Sequence, residues 1–185
     1  MGSKLVRFVV QSFPSPCVIG KSVQQKAETT LDDPTIPDLW TSMANDGSLN
    51  ILQAIPNRLT PNPDTVGWMG DWQPGAETYT YLAGVLVQPN TPVPDGFVSR
   101  DIESCDMAIG WIQGTDGDEG GDIHAQASAH LTGAMNEHGY EYDSSHGLFE
   151  MEYYSHERFR LAEQRGEKVI LDFYTPCKKR IQHTP

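Results

Sequence analysis

The chain has 185 residues, 13 of them basic and 25 acidic, for a net charge of −12 at neutral pH. A field of that sign repels phosphate backbones and anionic bilayers and draws cations, so neither nucleic acid nor a membrane surface is an expected partner, although acidity also serves plain solubility. No apolar run approaches the roughly 20 residues of a bilayer crossing, residues 1–10 lack the cleavage pattern of a signal peptide, and three widely spaced cysteines (Cys17, Cys105 and Cys177) argue for a reducing compartment, with the cytoplasm as the expectation.

Residues 5–10 are apolar and β-branched, and the pattern resumes over 17–23 after Pro14 and Pro16, which reads as one bent or broken strand. Pro37 suits the first turn of a helix, Asp38 complements its N-terminus and Gly47 is a stop, so a short helix is expected over 37–45. Pro56, Pro61 and Pro63 mark a connecting loop, and residues 66–72 and 78–88 read as two strands. A second broken strand follows over 97–102 and 107–113, then a flexible acidic loop over 115–122. Ile123, Ala127, Leu131, Ala134 and Met135 recur at helical spacing, with Asp122 as N-cap and Gly139 just past the end. Residues 148–154 and 168–175 close the chain as strands.

Each half thus reads strand, helix, strand, strand, and Ile19-Gly20 and Ile109-Gly110 occupy equivalent places in the two first strands, which suggests an internal duplication. Short, hairpin-like connections favour α+β over a doubly wound sheet. The expectation is one domain over 1–185, with halves of about 5–88 and 95–178.

Six short segments then stand out in order: Ile36-Pro-Asp-Leu-Trp40, Gly70-Asp-Trp-Gln-Pro-Gly75, Tyr79-Thr-Tyr-Leu-Ala-Gly84, Pro94-Asp-Gly96, Phe149-Glu-Met-Glu-Tyr-Tyr154 and Tyr174-Thr-Pro176. The ordered set resembles the GyrI-like superfamily, which includes effector-binding domains of AraC- and MerR-type regulators and free-standing relatives. The resemblance runs from about residue 8 to residue 178. It implies two halves with pseudo-two-fold symmetry, each a helix on a strongly curved sheet, and a central ligand groove where they meet. It also implies a carboxylate on the penultimate strand that faces cationic ligands, in a Glu-x-Tyr setting. Glu152-Tyr-Tyr154 matches, and Glu150, two residues earlier on the same strand face, is the alternative. No helix-turn-helix segment accompanies the match, so a stand-alone member is expected.

A glutamate in an apolar groove would seek a cation or a hydrogen-bond donor, or act as a general base toward water; its ordinary alternative is a solvated strand-face residue. Trp40, Trp68, Trp72, Tyr79, Tyr81, Trp111 and Tyr154 could form aromatic walls that hold flat apolar molecules and cations. Ordinary core packing accounts for two or three of them. Tyr79 and Tyr81 share a strand face. The histidines carry no metal-site spacing: His124 and His130 lie six apart on one helix and point to different sides, and no His-Glu-x-x-His or Cys-x-x-Cys occurs. Residues 116–122 look like a calcium loop but put Ala127 where its last glutamate should be. Nucleophile-elbow, phosphate-loop and dinucleotide motifs are absent, Cys105 has no evident histidine partner, and no cofactor is implied.

The leading expectation is a binding protein for bulky apolar, cationic aromatic compounds, with Trp40, Trp72, Tyr79, Tyr81, Trp111, Glu150, Glu152 and Tyr154 as ligand contacts. An alternative is a hydrolase that opens strained cyclopropane rings, with Glu152 as base and Tyr81 or Tyr154 orienting water or the ligand carbonyl. A third is a protein-binding inhibitor of a topoisomerase. The expected partner is a hydrophobic or cationic small molecule, and a homodimer is an open alternative for assembly.

Overall fold

Pro14 and Pro16 do more than bend the first strand; they divide it into two strands with different partners. The computed structural model describes residues 2–28, 33–116 and 123–181. Its elements in chain order are β1 (Lys4–Phe13), β2 (Cys17–Lys26), α1 (Thr35–Asn45), α2 (Ser48–Ala54), β3 (Thr65–Gly70), β4 (Thr78–Val87), β5 (Val98–Asp101), β6 (Cys105–Gly114), α3 (Ile123–Glu137), β7 (Tyr140–Tyr142), β8 (Glu150–Tyr154), a π-type turn (His156–Arg160) leading into α4 (Leu161–Gln164), and β9 (Val169–Lys179). The described ladders are antiparallel, so the fold is α+β. No helix among the described residues is long and apolar enough to cross a membrane.

Two compact units result. The first takes Met1–Phe13, Cys105–His146 and Glu152–Pro185; the second takes Pro14–Ser104 and Gly147–Met151. In the first, the strand order is β1-β6-β9-β8, with β7 pairing β9. In the second it is β3-β4-β2-β5. The expected bent or broken strand over 5–23 is broken into two strands with different partners: β1 pairs β6, whereas β2 pairs β4 and β5. The same correction applies to 97–113, where β5 pairs β2 and β6 pairs β1 and β9. Each sequence half lends its first strand to the unit built on the other half. Matched element by element, β3-β4-β2-β5 has the same order as β8-β9-β6-β1.

One face of β4 builds the second unit's core. Ile19 on β2 and Tyr81, Ala83, Val85 and Val87 on β4 pack with Met43 of α1 and Leu52 of α2. α1 begins earlier than expected because Asp33 Oδ1 accepts the backbone N–H of Thr35 at 2.9 Å. Gly47 is the expected stop: with φ of 81° it follows Asp46, the C-cap of α1. It also turns the chain into α2, which the sequence hides because only Ser48 and Leu52 of its seven residues are buried. In the first unit, α3 buries the expected Ile123, Ala127, Leu131, Ala134 and Met135. Gly139, at φ 77°, follows its end. The expected cap Asp122, and all of the calcium-like segment except Asp116, lie outside the described residues.

The three cysteines are free and buried. Burial pushes the Cys17 and Cys177 thiols up to about 11, and Cys105 Sγ contacts Met107 Sδ at 3.6 Å, a packing role.

The duplicated Ile-Gly positions do different work. A Cβ on Gly20 would meet the Ala83 carbonyl oxygen at 2.0 Å, whereas one on Gly110 would meet only side-chain tips, Leu5 Cδ1 at 2.9 Å and Leu131 Cδ1 at 3.2 Å. Backbone cannot yield as a leucine methyl can. Gly20→Ala should cost about 1–3 kcal/mol or more in urea denaturation and Gly110→Ala distinctly less. Equal losses would show that close strand approach is not what selects glycine at residue 20.

Candidate functional site

In the second unit, the aromatic residues pair within their own elements' reach. Trp40 of α1 donates its Nε1–H to the Tyr81 hydroxyl on β4 at 3.2 Å. Tyr81 is fully buried, and its hydroxyl lies where a Cβ on Gly67 would otherwise sit. Beyond β3, Asp71 adopts a left-handed conformation (φ 58°) and is held by Arg100 at 2.9 Å. That turn brings Trp72 onto Tyr79, with ring centroids 4.2 Å apart and planes 22° from parallel. Trp68 is buried in the same unit and stacks on Phe149. Glu150 is half-buried at the start of β8.

The first unit holds the polar cluster. Glu152 on β8 is buried, at 6% exposure. Both of its carboxylate oxygens accept hydrogen bonds: Oε1 pairs with His124 Nδ1 at 2.7 Å, and Oε2 accepts the Tyr154 O–H at 2.6 Å. The pleat explains the second bond, since residues two apart on a strand share a face. His124 sits in the first turn of α3, and its Nε2 lies 3.5 Å from Asp116 Oδ1. Phe159 from the π-type turn meets the Tyr154 ring edge-on at 4.9 Å and the His124 ring at 6.0 Å. Next to it, Arg160 stacks its guanidinium over Tyr154 at 5.1 Å and approaches Glu163 at 3.9 Å. The wider helical turn is what lets two consecutive residues address the same ring.

Trp111, the remaining expected contact, faces a different neighbour. A bulge between Leu5 and Arg7 sets Arg7 opposite Trp111, with the guanidinium 4.6 Å above the ring. Its other cross-strand partner, Asp172, is buried and paired with Arg158. The sequence reading missed His124, Asp116, Phe159 and Arg160. It weighed His124 only against His130 as a metal pair; the useful signal was its place beside buried Ile123 at the start of an amphipathic helix. Among the described residues, no group of three or more His, Cys, Asp or Glu side chains is arranged to hold a metal.

The electrostatics centre on His124. Burial works against its charge, but Glu152 beside Nδ1 and Asp116 beside Nε2 outweigh that and push its pKa up to about 10. They also overcome the N-terminal end of α3, where the helix dipole disfavours a cation. In return, the His124 hydrogen bond holds Asp116 below the usual carboxylate range. Glu163 moves the other way, raised by burial and by the charge of Asp116. The cluster is an imidazolium clamped between two carboxylates, walled by Tyr154 and Phe159.

No protein-family model and no curated protein matches the sequence. Several solved structures match the fold. SAV2435 bound to tetraphenylphosphonium aligns with a TM-score of 0.67 at 12% identity, covering 94% of each chain. The EcmrR C-terminal domain gives 0.57 at 11%, covering 94% of this chain and 98% of that one. An integron cassette protein from the mobile metagenome of Vibrio cholerae gives 0.51 at 12%, covering 96% and 100%. At these identities the likeness concerns architecture alone, an α+β fold in agreement with the one expected from the sequence.

Because folding raises the pKa of His124 above its unfolded value of about 6.5, its contribution to stability is whole below that pH and is lost as pH climbs through about 10. Urea denaturation should therefore show wild-type stability falling more from pH 7 to pH 10 than that of His124→Gln. Parallel pH profiles would mean that the imidazolium is not clamped. Tyr154→Phe should cost about 1.5–3 kcal/mol at pH 7, the range for a hydrogen bond to a charged group.

Proposed function

We propose that this chain binds bulky apolar, cationic aromatic compounds, as a drug or toxin receptor or sequestering protein, with Glu152 as the anion that meets the ligand's positive charge. The observation that carries the reading is a buried carboxylate set among aromatic rings on the penultimate strand. Burying a carboxylate is costly unless a cation or several donors compensate it. A lipophilic cation suits such a place well: it loses little hydration on entry, and ring faces add cation–π attraction. SAV2435, which shares the fold, was obtained bound to tetraphenylphosphonium, a compound of that class. Trp40, Trp72, Tyr79, Tyr81, Trp111 and Tyr154 are the aromatic contacts in this reading, and Glu150 is a second carboxylate. The reading of Glu152 as a base toward water has less support, because both of its oxygens already accept hydrogen bonds from protein donors.

Glu152→Gln keeps the size of the side chain and removes its charge. Affinity for tetraphenylphosphonium, measured by calorimetry, should fall by about 1.5–3 kcal/mol, while affinity for neutral triphenylphosphine oxide should change little. An equal loss for both compounds would assign Glu152 a structural role only. Unchanged affinity in both Glu152→Gln and Glu150→Gln would sink the reading.

A further inference from the structure

We propose that His124 is a built-in cation that holds Glu152 until a ligand's positive charge replaces it, so that uptake of a cationic ligand expels a proton from the protein. The inference rests on the reading of Glu152 as the ligand's anion and adds what controls that site.

The geometry sets up a direct competition. His124 Nδ1 lies 2.7 Å from Glu152 Oε1, closer than a bulky organic cation can bring its charge. While that contact stands, an incoming cation meets a neutral pair rather than an anion. The charged and titratable groups facing His124 among the described residues are Glu152 and Tyr154 from β8, Asp116 after β6, Arg160 from the π-type turn and Glu163 from α4. Arg160 cannot yield, because a guanidinium keeps its proton at every accessible pH. Tyr154 supplies a neutral hydroxyl donor to Oε2. The charge free to leave is thus the imidazolium proton.

Its route out exists. The His124 side chain is 31% exposed, whereas that of Glu152 is 7% exposed, so the donor reaches solvent while the acceptor stays buried. Once a ligand engages Glu152, Asp116 is the one of these two carboxylates that His124 keeps, at the longer distance of 3.5 Å. The same two carboxylates hold the free protein's imidazole protonated up to about pH 10. Weakening one of them lowers that value, and the proton departs. The exchange balances: an imidazolium–carboxylate pair plus a cation becomes a neutral imidazole, a carboxylate–cation pair and one proton in solution.

Tetraphenylphosphonium is the right probe because its charge does not titrate, so any pH dependence belongs to the protein. Calorimetry on the whole chain near pH 8, in two buffers of different ionisation enthalpy, should show release of about one proton per ligand. Affinity should rise toward about tenfold per pH unit between roughly pH 7 and pH 9. His124→Gln should bind more tightly than wild type at pH 7, release no proton, and show a flat profile. The proton count is read on the wild-type protein, so it decides the matter even if the variant fails to fold. Binding that Glu152→Gln weakens, but with no proton release and no slope with pH, overturns this proposal and leaves the cation-binding reading standing. No binding by wild type or His124→Gln at any pH overturns both.

Discussion

A carboxylate at 6% exposure is the constraint around which the first unit is arranged. Left alone, Glu152 would either neutralise or destabilise the fold by several kcal/mol, because the interior cannot replace its hydration. Three elements answer it. β8 provides Tyr154 two residues on, α3 provides His124 in its first turn, and the end of β6 leads to Asp116, which braces the far side of the imidazole. Removing any one leaves a buried charge short of a partner. A network of this kind is strong when complete and costly when broken.

The same network limits what chemistry the site can perform. A base poised to activate water needs a lone pair directed at that water. Glu152 spends its oxygens on a cationic nitrogen and a phenol. That arrangement suits an anion whose charge can be handed from an internal partner to an external one. Tyr154 and Phe159 already carry a cation, the Arg160 guanidinium, over their rings. The acidic balance of the whole chain adds a long-range field that draws cations.

How the chain reaches this arrangement depends on an exchange of strands. β1 leaves the half that begins with it and pairs with β6; β5 likewise pairs with β2. Each unit therefore contains residues from both sequence halves. Pro14 and Pro16 enforce one of these breaks, because neither can donate to a ladder. The second break, between β5 and β6, has no proline, and Ile102 is instead anchored by its backbone N–H to the Pro16 carbonyl at 2.9 Å.

Much of this protein was written locally. The continuous apolar run of β4, the apolar face of α3, the stop after Glu137 and the order of motifs from Trp40 to Tyr174 all follow from spacing and residue type, and they sufficed for an α+β fold. The Glu152–Tyr154 contact was within reach too, because a strand's pleat places residues two apart on one face. Tertiary structure decided the rest. The strand exchange was illegible, since a run of β-branched residues states that it will pair but not with which strand. α2 was hidden because a single fully buried apolar residue leaves no period to detect. The partnership of His124 with Glu152 joins residues 28 apart on a helix and a strand, and nothing in either local pattern names the other. A buried charge declares that it needs a counter-charge, but only the folded chain determines which side chain supplies it.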